Sequence, residues 1–420
     1  MMSVYKFGGA SVKDAEGVKN LSNILTSNDD ARVIVVSAFG KTTNKLEEIT
    51  DAIYNKQKEK FHDRLKKLMD YHFSILGELF KRDEEIYEIV EDTFNRIVGA
   101  FLKKWENYDY LYDQIVSFGE ILSTRIICAY LNIQNLNCQW IDIRKNLITD
   151  DVFREAGVYW EESQRRIRNN FIPEEDEIIL TQGFIGGTGK GVSTTLGREG
   201  SDYTAAILAN ILGAEKVVIW KDVSGVMNAD PRYFQNARKL DKISFQEAIE
   251  LAYYGAKIIH PKTIKPLQNK KIPLHVKSFL EPEGEGTLVG DYQRYDEDKP
   301  IFILKKGQIL ISVLPRDFSF VFEETLSNIY SLFAKYRIKV NMVQNSAINF
   351  TFSADEKNQN VFQLIEALKE NYRVLYNSGL ELLTIRHYSE QILRDVQKGR
   401  HILVEQRSRH TAQFLMEVQT

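Results

Sequence analysis

Six short runs rich in β-branched and aromatic residues constrain this chain more than any other feature: "SVYKF" (3–7), "RVIVVSA" (32–38), "CQWIDI" (138–143), "EIILTQGFI" (177–185), "KVVIWKDV" (216–223) and "IPLHVKSF" (272–279). Turn residues bound each run, and helical patterns separate them. Strands joined through helices are connected by crossovers, which makes the sheet largely parallel and covers both of its faces. The rhythm therefore predicts an α/β fold, a mainly parallel sheet sandwiched by helices, over residues 1–290. Between residues 45 and 110 the period changes. Phe61, Leu65, Leu68, Met69, Phe73, Leu76, Leu79 and Phe80 recur at helical steps, as do Ile86, Ile89, Val90, Phe94, Ile97, Val98, Phe101, Leu102 and Trp105. Two amphipathic helices follow, read as an antiparallel hairpin whose aromatics pack into a core.

The stretch "EPEGEGTLVGDYQRYDEDKP" (281–300) is rich in Gly, Pro and charge and reads as a boundary, with a linker at 291–300. Beyond it, strand and helix patterns run in the order βαββαβ, which predicts a smaller α+β unit of ferredoxin-like type from residue 301. Residues 390–420 are too short for a second such unit and are read as completing a shared sheet. The chain of 420 residues has room for two or three domains.

A formal charge of −3 supplies no basic field for nucleic acid, and no apolar run is long enough to cross a bilayer. The only cysteines, Cys128 and Cys138, have neither metal-type spacing nor a disulfide framework. The expectation is a cytoplasmic protein that handles small molecules.

"GFIGGTGKGVSTTLGREGSDYTAA" (183–206) imitates a phosphate-binding P-loop and fails twice, with Phe184 where the pattern needs glycine and Gly191 where it needs a hydroxyl. Other strand ends compete for that role. In "VYKFGGAS", Lys6 is the only charged residue where a strand runs out into Gly8, Gly9 and Ser11. Ligands of parallel sheets bind beyond the carboxyl ends of the strands, so Lys6 is either a phosphate ligand beside a turn or a solvated lysine. Ser37, Thr42 and Thr43 in "VSAFGKTTNKL" either line such a site or cap the next helix. Glu120, in an apolar helix, matters if a substrate ammonium lies opposite. Ser201 and Asp202 either cap the helix after Arg198 or turn towards a ligand at its N-terminus. Asp222, Asp230, Arg232, Lys257 and His260 follow the next strand. Jointly, Lys6, Arg232 and Lys257 offer cations for a polyphosphate, while Arg198 and Glu120 offer opposite charges for a zwitterion.

"KFGGAS", "VSAFGKTTNKL", "SFGEILS", "GFIG", "TTLGREGSDYTAA", "DVSGVMNADPR" and "GAKIIHPKTI", in this order, resemble the aspartate kinases of the amino-acid kinase superfamily. The resemblance implies transfer of the γ-phosphoryl of Mg-ATP to the side-chain carboxylate of L-aspartate, giving 4-phospho-L-aspartate and ADP, the step that opens lysine, threonine and methionine biosynthesis. By position it implies that Lys6 stabilises the transferring phosphoryl group, that Gly8 and Gly9 hold the phosphates, and that Asp202 orients Lys6. It also implies that Thr43, Glu120 and Arg198 form the aspartate pocket with Phe184 and Ser201 beside it, and that Asp222, Arg232 and Lys257 face the nucleotide, with Mg2+ carried on its phosphates. Ala10, Glu199, Lys221 and Met227 depart from the family pattern. Lys221 would offset Glu199 if the two lie close.

Residues 301–420 resemble the ACT regulatory region of these enzymes, with the second unit abbreviated. That implies a lysine or threonine effector and a homodimer or higher oligomer, although "VLPRDFSFVFEE" lacks the glycine expected after its first strand. No dinucleotide-binding glycine motif follows the tail, so no dehydrogenase fusion is expected. Two other functions remain open at this stage: a kinase of another small carboxylate, and an amino-acid-sensing binding protein with an inactive kinase domain.

Overall fold

The computed structural model describes residues 2–28, 30–82, 84–256, 259–292, 299–317, 320–321 and 323–418. The chain divides into two compact units. The first comprises Met1–Val226, Lys239–Ala252 and Lys257–Tyr295, and the second Met227–Arg238, Tyr253–Ala256 and Asp296–Thr420. The second unit thus recruits two segments that precede the 281–300 stretch, and residues 293–298 of the expected linker lie outside the described residues.

In chain order the first part contains β1 (Ser3–Phe7), α1 (Ala15–Thr26), β2 (Ala31–Val36), α2 (Thr42–Tyr54), α3 (Lys58–Leu79), α4 (Ile86–Phe101), α5 (Tyr108–Ile133), β3 (Cys138–Ile141), β4 (Ile148–Thr149) and α6 (Trp160–Asn170). Next come β5 (Ile178–Gln182), β6 (Ile185–Thr188), β7 (Ser193–Thr195), α7 (Gly200–Leu212), β8 (Lys216–Lys221), β9 (Lys242–Ser244), α8 (Phe245–Tyr254), α9 (Pro261–Lys270), β10 (Leu274–Ser278) and β11 (Thr287–Gly290). All six sequence-predicted strands form and join one eight-stranded sheet in the order β3-β5-β2-β1-β8-β10-β11-β9. Its pairs are parallel except β10 with β11. β1 is central and every one of its residues is buried, as a strand covered on both faces requires. The predicted helix pair is present as α3 and α4. Phe61 stacks on Phe101 with centroids 4.5 Å apart, and Phe73 lies against Phe94 and Tyr87, which is the antiparallel order. α4 ends at Phe101, which leaves Leu102 exposed rather than in the core.

Two features were not anticipated. Residues 287–290, inside the stretch read as a boundary, form β11 at one side of the sheet. A second small sheet, β4-β6-β7, sits in the first unit and is built partly from the P-loop imitation, whose Lys190 is merely exposed at its turn.

The second unit continues with β12 (Ile301–Pro315), α10 (Glu323–Lys335), β13 (Val340–Asn345), β14 (Phe350–Asp355), α11 (Asn360–Asn371) and β15 (Tyr372–Arg386), the expected βαββαβ order. After these come α12 (Glu390–Gln397), β16 (Ile402–Arg407) and β17 (Thr411–Glu417). The last two strands extend the same antiparallel sheet, in the order β13-β14-β12-β15-β17-β16, so the tail does complete a shared sheet.

Candidate active site

β1 runs between β2 and β8, and Lys6 is level with Val35 and Ile219. The chain then turns through Gly8 and Gly9, where Ser11 and Val12 donate their N–H groups to the Gly8 carbonyl. A Cβ on Gly9 would stand 2.6 Å from the Ala38 carbonyl oxygen, so only glycine lets the turns after β1 and β2 come this close. Gly8 lies beside the Lys6 ammonium: a Cβ there would be 3.5 Å from Nζ.

Lys6 Nζ lies 2.6 Å from Asp202 Oδ1, and Lys221 Nζ, from the end of β8, lies 3.2 Å from Asp202 Oδ2. One carboxylate thereby bridges two ammoniums. Asp202 is in the first turn of α7, where the helix dipole favours an anion. Burial works against its charge, but Lys221 and Lys6 outweigh burial and hold it below the usual carboxylate range. Burial likewise opposes the charge on Lys221, and Asp202 with Glu199 outweighs it and raises its pKa. Neither Asp202 nor Ser201 caps the helix: α7 begins at Gly200, and Glu199 occupies the capping position without a side-chain cap bond. Glu199 is held at φ +53°, unusual for a residue with a side chain. Its Oε2 is buried and has no hydrogen-bond partner among the described residues. Burial raises its pKa, Lys221 opposes that rise, and Asp202 adds to it.

Glu120 comes from the middle of α5 and is 2 % exposed. Its Oε1 accepts from the Ala38 N–H at 3.4 Å, while Oε2 is buried with no partner among the described residues. Burial pushes its pKa to about 8, countered in part by the Ala38 N–H and by the charge of Lys6. α5 comes close to α2 because Gly119 has no side chain: a Cβ there would already touch Ala38, Leu46 and Thr42 at 3.0–3.2 Å.

Phe184 follows β5 at φ +67° and donates its N–H to Thr204 of α7 at 3.1 Å. Gly183 and Gly200 make that approach possible. A Cβ on Gly183 would fall 2.4 Å from the Ser201 Cβ, and one on Gly200 2.8 Å from the Phe184 ring. Ser201 is buried there, Thr43 is half-buried in the first turn of α2, and Arg198 and Asp222 are exposed.

The structure brings Lys6, Glu120, Asp202 and the turn at Gly8 and Gly9 into one electrostatic neighbourhood. Arg232 belongs to the second unit, where its guanidinium is exposed and forks onto Asp230 with a shortest distance of 2.6 Å. Lys257 lies outside the described residues. His260 caps α9, its Nδ1 accepting from the Lys262 N–H at 3.2 Å. Lys221 was expected to offset Glu199 if the two lie close, and Glu199 does act on it; what the sequence did not reveal is that Lys221 pairs with Asp202. Lys221 and Glu199 stood out only as departures from a pattern.

The model of the amino acid kinase family matches residues 1–278. The chain belongs to that family. Within it, the chain groups with the aspartokinases. It is 33% identical to the lysine-sensitive aspartokinase 3 of Escherichia coli over 84% of this chain and 78% of that protein. It is 32% identical to aspartokinase 1, chloroplastic, of Arabidopsis thaliana over 84% of this chain and 63% of that one. Among solved structures, E. coli aspartokinase III in complex with aspartate and ADP superposes with a TM-score of 0.84 at 28% identity, covering 99% of this chain and 96% of the other. The same enzyme in complex with lysine and aspartate gives 0.83 at 29% identity.

Proposed function

We propose that this chain transfers the γ-phosphoryl group of Mg-ATP to the side-chain carboxylate of L-aspartate. The observation that carries this reading is that Lys6 acts on two buried carboxylates at once: it pairs with Asp202 and lies in the field of Glu120, whose second oxygen has no partner. A phosphate-seeking ammonium and an unsatisfied acceptor for a substrate ammonium therefore share one site. The family supports the same chemistry, since the related E. coli enzyme was solved with aspartate and ADP.

In the transfer, a carboxylate oxygen of aspartate forms a bond to the γ-phosphorus while the bond to the β,γ-bridging oxygen breaks, and ADP leaves with the electron pair. No covalent enzyme intermediate is needed, because the acceptor is already ionised near neutral pH. The protein supplies position and charge. Lys6 stabilises the phosphoryl oxygens, and Asp202 aims its ammonium. The turn at Gly8 and Gly9 brings backbone amides near the phosphates. Glu120 accepts the aspartate ammonium, and Arg198 grips a carboxylate in fork geometry, with Thr43, Phe184 and Ser201 shaping the pocket. Asp222, Arg232 and Lys257 are assigned to the nucleotide side. The exposed Arg232 guanidinium forks onto Asp230 through Nε and Nη2.

Magnesium would come bound to the nucleotide phosphates and would neutralise part of their charge there. Among the described residues no group of three or more His, Cys, Asp or Glu is placed to hold a metal, and Asp202 already serves two lysines.

The second unit is assigned a regulatory role, with lysine or threonine as effector and a homodimer or larger assembly formed through it. The lysine complex of the related E. coli enzyme supports lysine as the first effector to test. Among the described residues no helix is long and apolar enough to cross a membrane, in keeping with an enzyme of the cytoplasm.

Aspartate-dependent release of ADP from ATP, followed by a coupled assay across a panel of acceptors, tests the assignment. Turnover with another small carboxylate but not aspartate would move it to a sister activity. Tight amino-acid binding without ADP would make the chain a sensor.

A further inference from the structure

The cluster at Asp202 holds one more cation than Lys6 alone requires. β1 and β8 are parallel neighbours in which Lys6 is level with Ile219, and Lys221 lies two residues further towards the carboxyl end of β8. Residues two apart on a strand share a face, so Lys6 and Lys221 stand on the same face of the sheet, at the edge where ligands of such sheets bind. Their ammoniums meet the two oxygens of one carboxylate that is 2 % exposed. Lys221 is the less enclosed of the two, with 18% of its side chain accessible against 9% for Lys6. Two ammoniums thus share one buried carboxylate at the edge of the site.

Besides Asp202, Lys221 feels the charges of Glu199, from the turn before α7, and of its own neighbour Asp222, and Glu199 arrives strained. It sits in the left-handed region, with one carboxylate oxygen buried and unpartnered. A carboxylate so placed would repel a polyphosphate unless a cation offset it.

Resting on the phosphoryl-transfer reading above, we propose that Lys221 is a second phosphate-binding ammonium of this site, that Asp202 shares it with Lys6 until nucleotide arrives, and that Glu199 is the positioning residue whose charge Lys221 balances. The direction of the Glu199 shift agrees: burial raises its pKa, and Lys221 is the largest influence opposing the rise.

ADP binding measured by calorimetry, without any acceptor, tests this on the full chain. Lys221→Met keeps the length of the side chain and removes its charge, and is expected to weaken ADP binding about tenfold or more. Lys221→Arg is expected to restore most of that loss. Glu199→Gln keeps the backbone and removes the repulsion, so ADP binding should tighten about threefold. The double variant should bind ADP better than Lys221→Met alone. In turnover assays Lys221→Met should raise the KM for ATP while leaving that for aspartate unchanged, a split that a purely structural lysine would not produce. ADP affinity within twofold of wild type in a folded Lys221→Met protein overturns the proposal, as does equal loss in the Met and Arg variants. If Lys221→Met does not fold, Glu199→Gln alone decides, and unchanged ADP affinity in it is equally fatal. A wild-type chain that binds no ADP would instead refute phosphoryl transfer itself.

Discussion

Glu120 is the residue whose chemistry is most directly measurable. Its folded pKa of about 8 lies far above the ordinary carboxylate value because burial disfavours the charge. The folded protein therefore binds a proton at Glu120 that the unfolded chain has released, between the ordinary value of 4.5 and about 8. Stability from this group is fully present below that window and is lost as pH rises through it. The melting temperature of the ligand-free protein should fall across that range, and Glu120→Gln should flatten the slope. The role proposed for Glu120 uses the charged form, so the apparent KM for aspartate should rise about tenfold per unit as pH drops below about 8, while that for ATP holds steady. Lys6→Ala should keep the fold and lower kcat by about 10²–10³-fold or more, with circular dichroism confirming the fold. Lys6, Glu120 and Asp202 could be picked out in the sequence because charges at strand ends and in apolar helices are conspicuous. That Asp202 also takes Lys221 could not be read there. Which carboxylate a strand-end lysine meets depends on how α7 packs across the sheet, and no local pattern encodes that.

At the scale of elements, the approach of β5 to α7 depends on an absent side chain. Gly183→Ala would drive a methyl group into Ser201, 2.4 Å from its Cβ, and should cost about 1–3 kcal/mol of stability in chemical denaturation while displacing Phe184. The small β4-β6-β7 sheet is anchored by Asp113 of α5, whose carboxylate accepts from the backbone N–H groups of Arg154 and Thr195 and from the Thr195 hydroxyl. Asp113→Ala would strand those donors, at about 1–3 kcal/mol for each that stays dry. The long runs of the main sheet and the α3–α4 pair were visible because their periodicity extends over many residues. β4, β6 and β7 are two to four residues long and rich in Gly and Thr, too short for alternation to be seen. The GTGK stretch looked like a phosphate loop because hairpin turns and phosphate loops both need glycine, for the same conformational reason.

For the whole molecule, the order of domains was legible but their true composition was not. Residues 227–238 and 253–256 group with the second unit although the chain reaches them before the boundary, and composition cannot report a segment that crosses over. The regulatory assignment is checked by titrating lysine and threonine into the full chain. Heat and a raised KM for aspartate are expected for one of them, and silence of both at millimolar concentration would leave the unit a structural role.

The sheet of the second unit has a seam. β12 and β15 shift register around Lys306, Gln308 and Leu310, next to Gly307 and Gly379, both at positive φ. Ile309, Ile311 and Val313 on one side of it share a core with α10 and α11, whereas Leu383 and Ile385 on the other share one with α12 and β17. A third core, of Leu310, Met342, Leu380, Leu382 and Leu415, spans the seam and ties the two together. In native-state hydrogen exchange the amides of 308–314 and those of 380–386 should accordingly open as one block, and Leu310→Ala, which weakens the span, should split that ladder into two blocks with distinct opening free energies that meet at a pair of glycines.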